Sequence, residues 1–286
     1  MRRLIIPALI AGTVLPLIAT AQPAFAAEAA TVADASASSA IDAAIAADLR
    51  GDDKARDQYR HPKETLDFFQ VKPDMVVAEY AADAGWYTKI LASLTATSGK
   101  YVALGVSPSS PALSAERKAQ MAAYPANYPE RATKATGIGA DKITAYVNNA
   151  VPADMQGKID RVLVFRMLHN LERSGILGSE LDAIHAMLAP GGMVGVVQHR
   201  AKADAPATYV DGSKGYLKEA DVIATFEKHG FVLAGKSEIN ANPKDPADHA
   251  QGVWTLPPNY ALKDQDKAKY AAIGESDRMT LLFKKK

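Results

Sequence analysis

The stretch VVAEYAADAGWYTKIL, residues 76–91, joins a strand pattern to a helix pattern through a short turn. Val76 to Tyr80 are mostly apolar and β-branched, which favours a buried strand. After Gly85, apolar residues recur at Trp86 and Ile90 with nearly helical spacing. A strand that runs into a helix through such a turn is typical of nucleotide-binding βα units.

The rest of the chain repeats this alternation of apolar strands and helical stretches. Strand candidates lie near residues 75–80, 100–106, 142–147, 160–166, 193–199, 231–239 and 278–284. Alternation of this kind predicts βαβ units around a parallel sheet, so we expect an α/β fold with seven strands. The segment 241–276 is too long and too rich in proline for a simple connection, and loops of this length are usually functional or disordered.

Composition excludes several classes of protein. The chain has 286 residues, a formal net charge of +1, 48% hydrophobic residues and no cysteine. A nearly neutral chain lacks the basic footprint of nucleic-acid binding, so we expect no nucleic-acid partner. Without cysteine there is no disulfide, thiolate metal site or cysteine nucleophile, and we expect no metal centre.

The first residues, MRRLIIPALIAGTVLPLIATAQPAFAAE, have the pattern of a secretory signal. Two arginines precede an apolar run, and small residues surround Ala24-Phe25-Ala26. The sequence predicts a signal peptide over 1–26, a disordered leader over 27–41 and one domain over 42–286. The expected location is periplasmic or secreted, without stable membrane insertion after cleavage. An uncleaved membrane anchor is the alternative.

Glu79 at the end of the first strand and Gly85 six residues later mark the first candidate binding site. Ligands of α/β folds lie beyond the carboxyl ends of the strands, where helix amino termini offer free N–H groups. A carboxylate at the end of an apolar strand also needs a partner to offset its burial. We therefore expect a ligand near residues 79–87.

Several runs of the sequence resemble one known family. They are HPKETLDFF, GWYTKIL, VFRMLHNL, LAPGGMVGVVQHR, GYLKEADVI, EINANPKDPADHAQGVWTLPP and IGESDRMTLLF. From about residue 55 onward the chain resembles class I S-adenosylmethionine-dependent methyltransferases, and is most similar to a group of exported bacterial predicted methyltransferases. The resemblance implies a Rossmann-like, mostly parallel seven-stranded sheet with the last strand antiparallel and helices on both faces. It also implies transfer of a methyl group to a small-molecule acceptor that the sequence does not identify.

The resemblance assigns S-adenosylmethionine to Glu79, Ala81, Asp83, Gly85 and Tyr87, with Ser107 at the end of the second strand. Two features depart from the family pattern. Asp83 and Ala84 occupy positions where glycine is usual, and Ser107 stands where an acid usually accepts hydrogen bonds from the ribose. Loss of that acid would cost about 1.5–3 kcal/mol of binding free energy. We therefore expect cofactor binding that is weakened or lost, and an exported enzyme would also need an external cofactor supply.

Two histidines are the candidate catalytic residues. His169 follows the fourth strand and His199 ends the fifth, so both would lie at the ligand-binding edge of the sheet. A histidine with a pKa near neutrality can remove the acceptor proton while the protein aligns the two reactants. The alternative for both is a loop-ordering role. Trp86 is expected to pack in the core, and Tyr87 to contact ligand.

Two other functional classes remain open from the sequence. A non-catalytic binding protein that keeps the fold would explain Asp83, Ala84 and the missing acid. An NAD-dependent oxidoreductase is disfavoured, because the turn lacks the first two glycines of a dinucleotide fingerprint.

Overall fold

The computed structural model describes residues 36–286, and Ala37–Lys286 form one compact unit. The predicted signal peptide over 1–26 lies outside the described residues. Residues 27–35 of the predicted leader over 27–41 also lie outside the described residues, and its last residues belong to helix α1, which is formed by residues 36–46. Ala37 and Ile41 on this helix are buried, so this part of the alanine-rich segment packs on the domain.

A seven-stranded sheet forms the centre of the domain. Its strands are β1 (Val76–Tyr80), β2 (Lys100–Gly105), β3 (Ile143–Val147), β4 (Ile159–Phe165), β5 (Leu188–His199), β6 (Phe231–Ser237) and β7 (Arg278–Lys285). The strand order is β3-β2-β1-β4-β5-β7-β6. Neighbours from β3 to β5 pair in parallel, and β7 pairs antiparallel with both β5 and β6. The predicted sheet with an antiparallel last strand is confirmed.

Helices cover both faces of this sheet, as predicted. They are α2 (Asp57–Arg60), α3 (Pro62–Phe68), α4 (Trp86–Thr95), α5 (Ala115–Ala122), α6 (Tyr124–Thr136), α7 (Leu168–Arg173), α8 (Leu177–Met187), α9 (Glu219–Lys228) and α10 (Lys267–Ile273). A 3-10 segment over Asp48–Arg56 links α1 to α2. In the described part of the chain, no helix is long and apolar enough to cross a membrane.

The alternation of side chains along β1 divides the core into two layers. Ala78 and Tyr80 pack with α7, α8 and α9, whereas Val77 packs with α1, α3, α4 and α6. Glu79 points to the same face as Val77, into a mostly apolar layer that also contains Thr88 and Tyr101. The sheet thus brings the carboxyl ends of β1, β2, β4 and β5 to one edge, where the candidate site lies.

Candidate functional site

The turn between β1 and α4 has glycine-like backbone geometry at two positions that are not glycine. Ala81 and Ala84 both have left-handed conformations, with φ of 54° and 51°. For a residue with a Cβ atom this conformation costs about 1–2 kcal/mol. Asp83 does not have a positive φ, so of the two expected substitutions for glycine only Ala84 occupies a strained position. Ala81 is the second residue of the turn with a strained backbone, and its N–H donates to the Leu104 carbonyl at 2.7 Å.

A cleft of about 590 Å³ opens beside this turn and is called the wide cleft below. Its lining residues come from the ends of β1, β2 and β4 and from α5, α6, α7 and the loops beside them. They are Ala81, Ala82, Asp83, Gly105, Val106, Ser110, Leu113, Arg117, Gln120, Met121, Tyr124, Arg131, Met167, Asn170, Leu171, Arg173, Ser174 and Ile176. The volume lies within the usual range of small-molecule sites, about 300–1,000 Å³.

Asp83 leaves the wide cleft open. Its side chain is 87% exposed and forms an ion pair with Arg131, with 3.1 Å between Oδ1 and Nη2. The carboxylate therefore lies at the rim, where it adds one negative charge to a wall that also contains Arg117 and Arg173.

Tyr124 shapes the floor of the wide cleft. Its hydroxyl donates to the Ala82 carbonyl at 2.9 Å, and its ring packs over the end of β2. A Cβ atom on Gly105 would approach that ring to 2.7 Å, so glycine is required there for close packing. Strand and helix are thereby joined directly beside the turn.

Glu79 lies behind the turn instead of in the wide cleft. Thr88 and Tyr101 each donate a hydroxyl hydrogen bond to its Oε2 atom at 2.7 Å. Burial raises the pKa of Glu79 to about 7, although these two hydrogen bonds oppose the increase. Its partners lie on α4 and β2, so the carboxyl group links the end of β1 to these two elements.

Gly85 and Tyr87, which were expected to contact the cofactor, also lie outside the wide cleft. Gly85 precedes α4, and a Cβ atom there would meet only the Asp83 carbonyl at 4.0 Å. Tyr87 is buried and stacks on Phe165, with ring centroids 3.5 Å apart. Neither residue lines the wide cleft. Trp86 is buried as expected, and its ring lies under the guanidinium of Arg60.

Ser107 is buried beside the wide cleft and is occupied by protein contacts. Its N–H donates to Oε1 of Glu180 at 3.3 Å, and its hydroxyl accepts from the N–H of Asn149 at 3.1 Å. Glu180 itself is held by Tyr80 at 2.5 Å and Asn148 at 2.7 Å. Ser107 is therefore not available to replace the missing acid of β2.

A second cavity of about 330 Å³ lies at the ends of β4 and β5 and is called the arginine pocket. Three arginines, two histidines, one carboxylate and residues of the 241–276 segment form its wall. The lining residues are Arg56, Arg60, Arg166, His169, Asn170, His199, Val253, Trp254, Pro257, Pro258, Asn259, Glu275 and Ser276. Asn170 lines both cavities, so the amino-terminal part of α7 connects them.

The two candidate catalytic histidines meet in the arginine pocket, with ring centroids 5.7 Å apart. Burial lowers the pKa of His169 to about 4, although its hydrogen bond with Gln198 opposes the decrease. Burial and the charge of nearby groups hold the pKa of His199 well below its usual range. Both rings are therefore neutral at pH 7. Neither ring has the near-neutral pKa that is expected of a proton acceptor.

Hydrogen bonds fix the tautomer of His169. The amide nitrogen of Gln198 donates to the Gly215 carbonyl at 2.8 Å, which settles the orientation of the amide. The same nitrogen lies 3.3 Å from Nδ1 of His169, so Nδ1 accepts and the ring proton is on Nε2. His169 thus offers a hydrogen-bond donor. His199 contacts Ser276 through Nδ1 at 2.6 Å, where either atom can donate.

Glu275 organises the arginines on one side of the pocket. Arg56 donates to its Oε1 atom at 2.7 Å, and Arg60 and Arg278 donate to Oε2 at 3.3 and 2.9 Å. Burial raises the pKa of Glu275, but the charges of the three arginines outweigh burial and lower it to about 2. One buried carboxylate is thus shared by three guanidinium groups.

Sequence reasoning did not find Arg166, Glu275 or Asn170. Arg166 directly follows β4 and has a left-handed φ of 54°, and its N–H donates to the Val197 carbonyl at 2.7 Å. The only sequence signal was a charged residue at a strand end next to His169. Among residues 36–286, no group of three or more histidine, aspartate or glutamate side chains is arranged to hold a metal ion.

No protein-family model and no curated protein matches the chain. Solved structures do match it. A S-adenosylmethionine-dependent methyltransferase from Aquifex aeolicus has a TM-score of 0.51 and 15% identity, over 82% of this chain and 95% of that one. A geranyl diphosphate methyltransferase in complex with S-adenosylmethionine has a TM-score of 0.48 and 11% identity, over 78% and 84%. At 15% identity the likeness to the first of these structures concerns the fold alone, and this chain has the fold of class I methyltransferases.

Proposed function

We propose that the protein is a S-adenosylmethionine-dependent methyltransferase with the cofactor in the wide cleft and the acceptor in the arginine pocket. The observation that carries the proposal is the open cleft beside Ala81 and Ala84, whose backbone has the geometry that glycine usually supplies. In α/β folds a ligand lies at this position, beyond the carboxyl ends of the strands.

The residues of the wide cleft fit the shape of the proposed cofactor. Val106, Leu113 and Ile176 provide apolar contacts suited to an adenine ring. Backbone groups of Ala82 and Asp83 would hold the amino-acid end, and the Asp83 carboxylate would attract its ammonium group. The ribose would lack the carboxylate partner usual in the family, which supports weakened rather than lost binding.

In methyl transfer the main task of the protein is to align the methyl donor with the acceptor, and participation of its side chains in bond making is secondary. S-adenosylmethionine supplies an electrophilic methyl group, and its loss to an acceptor lone pair leaves S-adenosylhomocysteine. Asn170 lies between the two cavities and would position the acceptor. His169 would donate a hydrogen bond from Nε2. His199, whose tautomer is not fixed, is the better of the two candidates for accepting a proton.

Calorimetric titration with S-adenosylhomocysteine tests the cofactor proposal. We expect saturable binding by the purified protein and at least a tenfold loss of affinity in Val106→Arg, because the long side chain would fill the wide cleft. Val232→Arg is the matched control, since Val232 is exposed on β6 and lies outside both cavities. Absence of binding, or equal affinity in both variants, would remove the cofactor proposal.

A non-catalytic binding protein is the second candidate, and one observation favours it. The wide cleft has three arginines in its wall and Asp83 as its one carboxylate. If the protein binds nucleoside phosphates tightly but neither S-adenosylmethionine nor S-adenosylhomocysteine, the second candidate replaces the first.

We also propose that the protein acts outside the cytoplasm, on the strength of the signal pattern over residues 1–26. Amino-terminal sequencing of protein from a periplasmic fraction should give a chain that starts at Ala27. Recovery of the intact amino terminus from the cytoplasm alone would contradict export.

A further inference from the structure

We propose that the arginine pocket binds the carboxylate group of a small organic acid. Arg166 would form the main ion pair, and His169 would donate a hydrogen bond. The identification of this acid as the methyl acceptor rests on the proposed function, whereas binding of the acid does not.

The first observation is the lack of a partner for Arg166. The side chain of Arg166 lines the arginine pocket. Its guanidinium group forms no hydrogen bond or ion pair with any residue in the described range 36–286. Burial lowers the pKa of Arg166 to about 9, and the nearby charges of Arg60 and Arg278 act in the same direction, whereas the charge of Glu275 opposes the decrease without forming an ion pair. The guanidinium remains charged at pH 7. The guanidinium is only partly buried and faces the pocket, and a partly desolvated charge without an ion-pair partner is costly, so a bound anion would stabilise it.

The second observation is the balance of charge around the pocket. In the wall, Arg56, Arg60 and Arg166 face the single carboxylate of Glu275, which is also shared with Arg278, a residue that does not line the pocket. Both histidines are neutral. The charge of Arg166 acts to lower the pKa of Glu79, but Glu79 still has a pKa of about 7 and forms no ion pair with Arg166. The groups that face the pocket therefore have an excess of positive charge.

The third observation is the type of donor that the pocket presents. A guanidinium group offers two parallel N–H bonds that match the planar oxygens of a carboxylate. The Nε2–H group of His169 and the amide groups of Asn170 and Asn259 add polar partners in the wall. This set favours an anion with hydrogen-bond acceptors.

The remaining wall is apolar and suits an organic body attached to the acid. Val253, Trp254 and the two prolines at 257–258 line this side, and Trp254 makes an edge contact with His169 at 5.9 Å between ring centroids. The volume of about 330 Å³ accommodates only a small molecule. We therefore expect recognition of an aromatic or short aliphatic acid rather than of a polymer.

Calorimetric titration of the full chain with benzoate, benzamide and inorganic phosphate tests this inference. Benzoate should bind, and its neutral isostere benzamide should bind at least tenfold more weakly. Arg166→Met should weaken benzoate binding at least tenfold, and Arg166→Lys should have an intermediate effect because it keeps the charge and loses the fork. Lys134→Met, which removes an exposed positive charge on α6, should bind benzoate as the wild type does.

Equal affinity for benzoate and benzamide would overturn the inference, as would unchanged benzoate binding in Arg166→Met. Binding of phosphate without benzoate would overturn the assignment to a carboxylate. If Arg166→Met does not fold, Arg166→Lys and the ratio of benzoate to benzamide affinity still decide. These titrations contain no cofactor, so benzoate binding without S-adenosylhomocysteine binding refutes the proposed function alone, and the reverse result refutes this inference alone.

Discussion

The two cavities at the carboxyl edge of the sheet are supported by buried carboxyl groups whose pKa values shift in opposite directions. Behind the wide cleft, Glu79 is held by hydroxyl groups, and burial raises its pKa to about 7. Beside the arginine pocket, Glu275 is held by three guanidinium groups that lower its pKa to about 2. One cavity is thus maintained by backbone shape and hydrogen bonds from hydroxyl groups, and the other by ion pairs with arginine.

Loss of the Glu275 charge should be the most damaging change of those considered. Glu275→Gln leaves Arg56, Arg60 and Arg278 without their shared anion, and removal of one partner from a buried ion pair costs about 3–5 kcal/mol of unfolding free energy. Urea denaturation at pH 7 measures the loss. Glu130→Gln, which breaks an exposed pair with Lys134, should change stability little. Equal effects of the two variants would mean that Glu275 does not organise the pocket.

Acid should weaken the protein through the same carboxylate. Because folding lowers the pKa of Glu275 from 4.5 to about 2, its contribution is complete above pH 4.5 and is lost as the pH falls toward 2. The corresponding free energy is at most about 3 kcal/mol. Urea denaturation between pH 5 and pH 2.5 should show a smaller decrease for Glu275→Gln than for wild type. Parallel decreases would contradict the assignment.

Glu79 should respond to pH in the opposite sense. Folding raises its pKa from 4.5 to about 7, so its contribution is complete below pH 4.5 and is lost as the pH rises through 7. Glu79→Gln should therefore be more stable than wild type at pH 8, by up to about 3 kcal/mol, and similar to it at pH 4. Thermal denaturation at both pH values is the measurement. A destabilised variant at pH 8 would show that Glu79 works as an ionised group.

Glycine at residue 84 should have a smaller effect. Ala84 has a φ of 51°, which glycine adopts without strain, so Ala84→Gly should leave stability unchanged or raise it by about 1 kcal/mol. Ala119→Gly on the exposed surface of α5 is the control, and it should lose about 1 kcal/mol. If both variants lose stability equally in urea denaturation, the turn is not strained at Ala84.

Removal of the Asp83 charge should have the smallest effect. The pair of Asp83 with Arg131 is exposed, and such pairs contribute about 0–1 kcal/mol. Asp83→Asn should therefore unfold within about 0.5 kcal/mol of wild type in urea. A loss above about 2 kcal/mol would show that Asp83 supports the turn structurally.

Much of the fold could be predicted from the sequence, because apolar strands and helical stretches follow local rules of spacing. The turn after β1 was located correctly for the same reason. Local rules did not separate core residues from cleft-lining residues near that turn. Tyr87 stacks on Phe165, a partner 78 residues away, and Ser107 is occupied by Glu180 on α8.

The arginine pocket could not be predicted from residue spacing. Its charged residues come from positions 56, 60, 166 and 275. They are far apart in the sequence and meet only in the folded domain, where the loop after β4 and the segment before β7 come together. His169 and His199 were found because each lies at a strand end. Burial lowers both pKa values, and it involves partners distant in sequence, Trp254 beside His169 and Tyr216 beside His199, which no local pattern encodes.

A crystal structure of the protein soaked with S-adenosylhomocysteine is the most direct test of the cofactor site in the wide cleft. We predict density for the adenosyl group in the wide cleft between Val106 and Ile176, with Ala81 and Ala84 still left-handed and Asp83 at the rim. An empty wide cleft in well-ordered crystals at saturating ligand, or ligand bound elsewhere on the surface, would contradict the cofactor site and leave only the fold.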